Sequence, residues 1–171
     1  PRIGQLLEPG ADLVGELRVV DIGLTSGPTS FAWTERSDVA GWLPSWPPAT
    51  HKGHRGHLGV VAGSRELAGA ATLSCVAALR AGAGRVTLHV PEDALVRLEG
   101  LPPDVMVRCD DPDPRSFDAL VVGPGLGPHR QALARSLWET AALPAVFDAD
   151  GLNALVGHLQ ASPHPRALTP H

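Results

Sequence analysis

The sequence predicts an α/β fold, a mostly parallel sheet covered by helices on both faces. Three observations carry this. From His51 onward, short apolar runs alternate with helical patterns, the rhythm of βαβ units. The runs are apolar at successive positions, as expected of strands buried on both faces. Several of them end in glycine, where a strand turns into a helix.

Taken in order, Gly15-Glu16-Leu17-Arg18-Val19-Val20-Asp21-Ile22-Gly23 is rich in β-branched residues and predicts a strand. Residues 25–50 hold Trp33, Trp42, Trp46, Pro44, Pro47 and Pro48 and read as a connector. Its tryptophans are expected to pack onto a domain face. The boundary falls near residue 48, giving a lead-in of 1–48 and a main domain of 49–171. There, His57 to Gly63 predicts a strand and Ala68 to Ala83 a helix, with Leu73, Val76, Ala77 and Arg80 at helical spacing. Arg85 to Val90 is a strand ended by Pro91, Glu92 to Leu98 a short helix, and Val105 to Val107 a strand. Ala119 to Val122 is a buried strand and Arg130 to Ala142 a helix. Ala145 to Phe147 follows as a strand, Leu152 to Leu159 as a helix, and Ala167-Leu168 begins one more strand. Crossovers between parallel strands should be right-handed.

Composition narrows the function. The 171 residues are 43% hydrophobic with 19 Gly and 17 Pro, which excludes disorder as the main state. Charged residues are 19%, the net charge is −4 and the pI about 6.0, so no nucleic-acid partner is expected. Apolar stretches are strand-sized, so no membrane partner is expected either. Cys75 and Cys109 form no Cys-x-x-Cys pair and read as buried free thiols in a reducing cytoplasm. Met106 is the only methionine, Pro1 is not a start residue and no signal-peptide pattern is present, so a fragment of a longer protein is expected.

In a parallel sheet, ligands bind beyond the carboxyl ends of the strands. Four such ends bear suggestive residues: Gly63-Ser64, Gly123-Pro124-Gly125-Leu126-Gly127, Asp148-Ala149-Asp150-Gly151 and Thr169-Pro170-His171. The glycine loop permits close approach of backbone to a ligand, and the following helix should offer N–H groups to an anion. An ordinary βα turn fits as well. Asp148 is expected to act on a ligand, while Asp150 reads as the N-cap of the next helix with Asn153 at N3. Gly69-Ala70-Ala71 would let a flat ring lie against a helix end, or would serve close packing. The loop His51-Lys52-Gly53-His54-Arg55-Gly56-His57 holds the only lysine and could serve phosphate, or be a solvated loop. No carboxylate or cysteine nearby completes a metal site with its histidines. His89, His129, His158 and His164 are expected at the surface or in loops.

These segments, with Ala78-Leu79-Arg80-Ala81-Gly82-Ala83-Gly84, follow one another in an order that resembles the ADP/ATP-dependent NAD(P)H-hydrate dehydratase family from about residue 51 to 171. Residues 1–24, through Asp21-Ile22-Gly23, resemble the closing strand of the NAD(P)H-hydrate epimerase domain that precedes the dehydratase in bifunctional bacterial enzymes. The resemblance implies a ribokinase-like, three-layer αβα fold, present here in part. It implies repair of hydrated NADH or NADPH, with ADP or ATP as phosphoryl donor and Mg2+ as cofactor. Carried over by position, Ala70, Gly123, Gly125, Leu126 and His171 would contact the small-molecule hydrate, with Asp148 and Asn153 lining the same cleft. The family's catalytic Asp and its nucleotide segment would lie beyond His171, so no catalytic, nucleotide or metal residue is assigned here. His54 stands where the family more often has a small polar or acidic residue. The full-length parent is expected to be a homo-oligomer. Two rivals remain: a ribokinase-like kinase for a vitamin precursor, and a non-catalytic nucleotide-binding domain.

Overall fold

Glycine and proline punctuate the chain so densely that its helices and strands are short, and the fold is held by the sheet that joins them. A computed structural model describes residues 3–24, 27 and 34–170. The chain divides into two units, Pro1–Ser45 and Trp46–His171. In the first, α1 spans Gly10–Leu13 and α2 spans Arg36–Trp42. Helix α2 starts in a capping box: the Glu35 side chain accepts from the Asp38 amide, and the Asp38 side chain accepts from the Glu35 amide.

The strand expected over residues 15–23 does not form. Val19, Val20 and Ile22 are 70–75% exposed, and no neighbouring strand among the described residues pairs with them. A β-branched run is only half of a ladder, and an isolated strand leaves its backbone groups to water. Trp33 lies outside the described residues.

The second unit is built on six strands: β1 (His57–Val61), β2 (Arg85–His89), β3 (Val105–Arg108), β4 (Ala119–Val122), β5 (Ala145–Asp148) and β6 (Arg166–Thr169). Their order is β3-β2-β1-β4-β5-β6, and every pairing is parallel. All the carboxyl ends therefore lie along one rim. Helix α3 (Ala68–Arg80) covers one face, where Ala71 and Cys75 meet Val60, Val86 and Leu88. Helix α4 (Gln131–Thr140) covers the other, where Leu137 and Trp138 meet Val122 and Phe147. The Trp138 and Phe147 rings meet edge to face at 5.1 Å.

Of the predicted helices, α3 and α4 form, each shorter at its carboxyl end. The helix predicted over Glu92 to Leu98 winds as a 3-10 helix, Glu92–Arg97. The one predicted over Leu152 to Leu159 is replaced by a single turn, α5 (Asp150–Asn153), after which the Leu155 and Val156 amides bond three residues back and Gly157 turns to φ 74. The apolar spacing survives without a helix: Ala154 and Leu155 are buried while Val156 is exposed. Cys75 is buried, which pushes its thiol up to about 12 and leaves it inert, whereas Cys109 is exposed, against expectation.

Candidate functional site

Three loops meet at the carboxyl rim, after β1, β4 and β5. The Gly63 amide donates to the Pro124 carbonyl at 2.8 Å, and the Gly123 amide donates to the Val61 carbonyl at 3.0 Å. The first two loops are thus zipped together by backbone. Gly123 takes φ 122, and a side chain there would collide with the Asp148 carbonyl and stand 2.5 Å from the Gly151 nitrogen. This position needs glycine for its conformation and for the closeness of the β5 loop. Gly125, at φ 62, forms the apex of the loop and rests on the start of α3: an added Cβ would lie 2.8 Å from the Leu67 carbonyl oxygen and 2.9 Å from the Ala70 Cβ. Packing thus explains why both Gly125 and Ala70 are small.

Helix α3 begins without a side-chain cap at Leu67. The amides of Ala68 and Gly69, at its first two positions, have no partner among the described residues, and neither has that of Gly125. Leu67 and Ala70, on which Gly125 rests, bracket those two amides. The Leu126 side chain is 1% exposed and belongs to the core, so only its backbone faces the loop.

On the β5 side, Asp148 Oδ1 accepts from Thr169 Oγ1 at 2.6 Å, joining β5 to β6. Its second oxygen has no partner among the described residues. Asp150 is not the N-cap that its position suggested. Ala149 precedes the helix instead, and Asp150 reaches back across the rim. Its Oδ2 accepts from the Gly127 amide at 2.9 Å, and its Oδ1 accepts from Asn153 Nδ2 at 3.3 Å. The helix that follows the glycine loop therefore does not present the Gly127 N–H to a ligand. Between the two carboxylates, Ala149 adopts φ 44 and ψ −116, a conformation costly for any residue with a Cβ. Ala70, Gly123, Gly125, Leu126, Asp148 and Asn153 are thus brought to one rim, and His171 lies outside the described residues.

The lysine and histidine loop is placed elsewhere. Lys52–Arg55 forms a 3-10 turn that leads into β1, at the opposite end of the sheet from the glycine loop. Its contacts are structural: His51 Nδ1 accepts from the Gly53 amide, and the Arg55 carbonyl accepts from the Gly84 amide ahead of β2. Arg55 also lies over the Trp46 ring at 5.6 Å. No group of three His, Cys, Asp or Glu side chains able to hold a metal ion occurs among the described residues.

A second polar feature escaped the sequence reading. His57, Thr87, His89, Met106, Arg108 and Phe117 line a cleft of about 510 Å³ over β1–β3. His89, expected at the surface, is 2% exposed. It stands in strand β2 opposite Val61, and the segment after β3 closes over it. Its Nδ1 donates to the Asp110 carbonyl at 2.8 Å, and its Nε2 is buried without a partner among the described residues. Burial lowers its pKa below the ordinary 6.5, outweighing the Asp110 carbonyl and carboxylate that oppose the shift. His57 shares a 2.8 Å hydrogen bond with Thr87 Oγ1, and its pKa is lowered by burial and by Arg85. Both imidazoles are neutral at pH 7. Arg130, just before α4, donates to the His89 carbonyl and to Asp111. The polar positions Thr87 and His89 within an apolar strand were the available signal.

A family model described as NAD(P)H-hydrate dehydratase matches residues 58–171. The bifunctional NAD(P)H-hydrate repair enzyme of Moorella thermoacetica is 37% identical over 201 residues, taking in 100% of this chain and 37% of that enzyme. The Escherichia coli K12 enzyme of the same name is 32% identical and takes in 98% of this chain and 34% of its own length. The ADP/ATP-dependent NAD(P)H-hydrate dehydratase of Bacillus subtilis, co-crystallised with ATP and Mg2+, superposes with a TM-score of 0.67 at 27% identity, over 79% of this chain and 50% of that one. A ribokinase-like superfamily protein from Enterococcus faecalis shares the fold at 21% identity, with a TM-score of 0.67, over 75% of this chain and 50% of that one. The chain spans about a third of the length of these curated relatives. The open, all-parallel sheet with a helix on each face is thus the ribokinase-like architecture that the resemblance implied.

Proposed function

The chain belongs to the NAD(P)H-hydrate dehydratase family, and from that premise we propose that it supplies the substrate half of a cleft that restores NAD(P)H from its S-hydrate. The observation that carries this reading is the uncommitted amide of Gly125, in a loop seated against the uncapped start of α3 and joined at Gly123 to the β5 loop that bears Asp148. Glycine at both positions gives the loop the positive φ that leaves its outer backbone open to a flat ring. The free amides suit an anionic or carbonyl group, and the unpaired oxygen of Asp148 suits a hydroxyl.

The reaction answers a simple chemical difficulty. Hydroxide is a poor leaving group, so the ring hydroxyl first takes the terminal phosphoryl group of ADP or ATP. The carbon–oxygen bond then breaks, phosphate departs, and the neighbouring ring carbon gives up a proton to form the double bond of the dihydronicotinamide. This chain's own contribution is to bind and orient the hydrate through Ala70, Gly123, Gly125, the Leu126 backbone, Asp148 and Asn153. His171 belongs to the same reading by position. The nucleotide and Mg2+ are proposed for the whole protein. Both oxygens of Asp150 accept hydrogen bonds and Asp148 offers a single free oxygen, so the described residues make no cage for the ion.

Residues 1–48 are proposed as the tail of a preceding epimerase-like domain with its connector, and 49–171 as the first part of the dehydratase domain. The whole protein is proposed to be a cytoplasmic homo-oligomer. The unpaired thiols Cys75 and Cys109 are in keeping with a reducing compartment, and no helix of the described residues is long and apolar enough to cross a membrane.

The test is to give the full-length protein the S-hydrate and Mg2+, with ADP or ATP present or withheld, and follow dihydronicotinamide absorbance. Recovery that requires nucleotide is expected. A folded protein that restores nothing with either nucleotide overturns the reading.

A further inference from the structure

Asp150 is not among the substrate contacts proposed above, and its carboxylate is spent inside the protein. The first half of the glycine loop is held by backbone, through the bonds to Val61 and from Gly63. The second half is different. Leu126 bonds only within the loop, to the Gly123 carbonyl, and Pro128 has no amide to offer. Among the described residues, the bond from the Gly127 amide to Asp150 Oδ2 is the one hydrogen bond from another element that holds residues 125–127. Asn153 braces the other carboxylate oxygen, so the side chain is fixed from both ends. The Gly127 amide, at φ 75 just ahead of a helical turn, is a donor suited to a negative charge. Here the protein supplies that charge itself.

We propose that Asp150 is a positioning residue for the dehydratase reaction: by occupying the Gly127 amide, it holds the glycine loop so that, of the loop's own amides, that of Gly125 is the one open to the hydrate. The consequence for the reaction rests on the proposed dehydratase reading. The brace itself rests on geometry and is tested without turnover. Loss of the carboxylate frees the Gly127 amide, lets the loop shift on Leu67 and Ala70, and misplaces the hydrate with respect to Asp148. Charge on the braced oxygen matters more than bulk, since a carboxylate makes a stronger bond to an amide than a neutral carbonyl does.

The experiment compares the full-length protein with its Asp150→Asn and Asp150→Ala variants. In Asp150→Ala the KM for the hydrate is expected to rise roughly tenfold with a smaller fall in kcat, the signature of a displaced binding loop. Added formate, a free carboxylate, should lower that KM towards the wild-type value and leave the wild type unaffected. Asp150→Asn, which retains an acceptor oxygen, should show a rise of only a few-fold. An unchanged KM in Asp150→Ala, or a raised KM that formate does not lower, overturns the proposal. Should Asp150→Ala fail to fold, or the wild type fail to turn over hydrate, NMR of glycine-labelled wild type and Asp150→Asn decides. The Gly127 amide proton is expected to move upfield when the charged acceptor is lost, and an unmoved resonance overturns the brace.

Discussion

At the rim formed by β1, β4 and β5, backbone lies directly on backbone: Gly123 abuts the Asp148 carbonyl, Gly125 abuts the Leu67 carbonyl, and Gly63 bonds to Pro124. In the cleft over β1–β3 of the same sheet, the contacts are made by side chains, with His57, Thr87, His89 and Phe117 filling the space instead. The two regions respond to different insults. Where backbone abuts backbone there is no rotamer to give way, so a single added methyl at Gly123 or Gly125 must move a backbone. A cleft lined with imidazoles tolerates small shifts but not an added charge.

The largest effect expected from this contrast is at Gly123. In Gly123→Ala the new methyl meets the Asp148 carbonyl and the Gly151 nitrogen, and the backbone must also leave φ 122. We expect a loss of about 3 kcal/mol in urea unfolding of the full-length protein. Gly69→Ala is the matched control on the same rim, because an added Cβ there meets nothing within 4 Å. It should change stability by less than about 0.5 kcal/mol. Equal effects at the two positions would mean that the loops do not pack as described.

Next in size is the response of the histidine cleft to acid. His57 and His89 both titrate below the ordinary 6.5 in the folded protein, chiefly because burial opposes their charged forms. The unfolded chain therefore binds protons first as pH falls, and their contribution to stability, whole above pH 6.5, is lost progressively below it. Asp110 acts in a separate window. Its hydrogen bonds from Arg108 hold its carboxyl at about 2, so its contribution fades only below the ordinary 3.8. A urea midpoint that falls between pH 6.5 and 5 is expected, and the double variant His57→Gln, His89→Gln should flatten that part of the profile. A slope unchanged by the double variant would place the acid sensitivity elsewhere.

How much of this was legible follows the same division. The strands after residue 51 announce themselves because strands buried on both faces must be apolar, and parallel pairing then sends all their carboxyl ends to one rim. That is why the Gly63, Gly123 to Gly127 and Asp148 ends could be assigned to one rim before any distance was known, whereas Ala70 and Asn153 join them only through the family resemblance. The strand predicted over residues 15–23 fails because a strand depends on a partner that the run itself does not encode. His89 was misplaced because its burial comes from a segment about twenty residues further along the chain. Asp150 was misread for a related reason. An Asp at the start of a helix serves its own amides or those of a distant loop with the same chemistry, and only the closeness of Gly127 decides between them.

The smallest effect expected is at Ala149, and it sharpens the comparison because it runs in the opposite direction to Gly123. Ala149 is the one described non-glycine residue at positive φ, and it stands where glycine would be comfortable. Strain of this kind costs about 1–3 kcal/mol. Glycine would remove it, while losing about 0.5–1 kcal/mol to the greater freedom of the unfolded chain. Ala149→Gly should therefore raise the unfolding free energy by about 1 kcal/mol, seen as a higher urea midpoint with an unchanged slope. A lower midpoint would show that the Ala149 methyl contributes packing that outweighs its strain. The turn that sets Asp148 and Asp150 to their different tasks would then depend on the packing of a methyl as well as on its backbone.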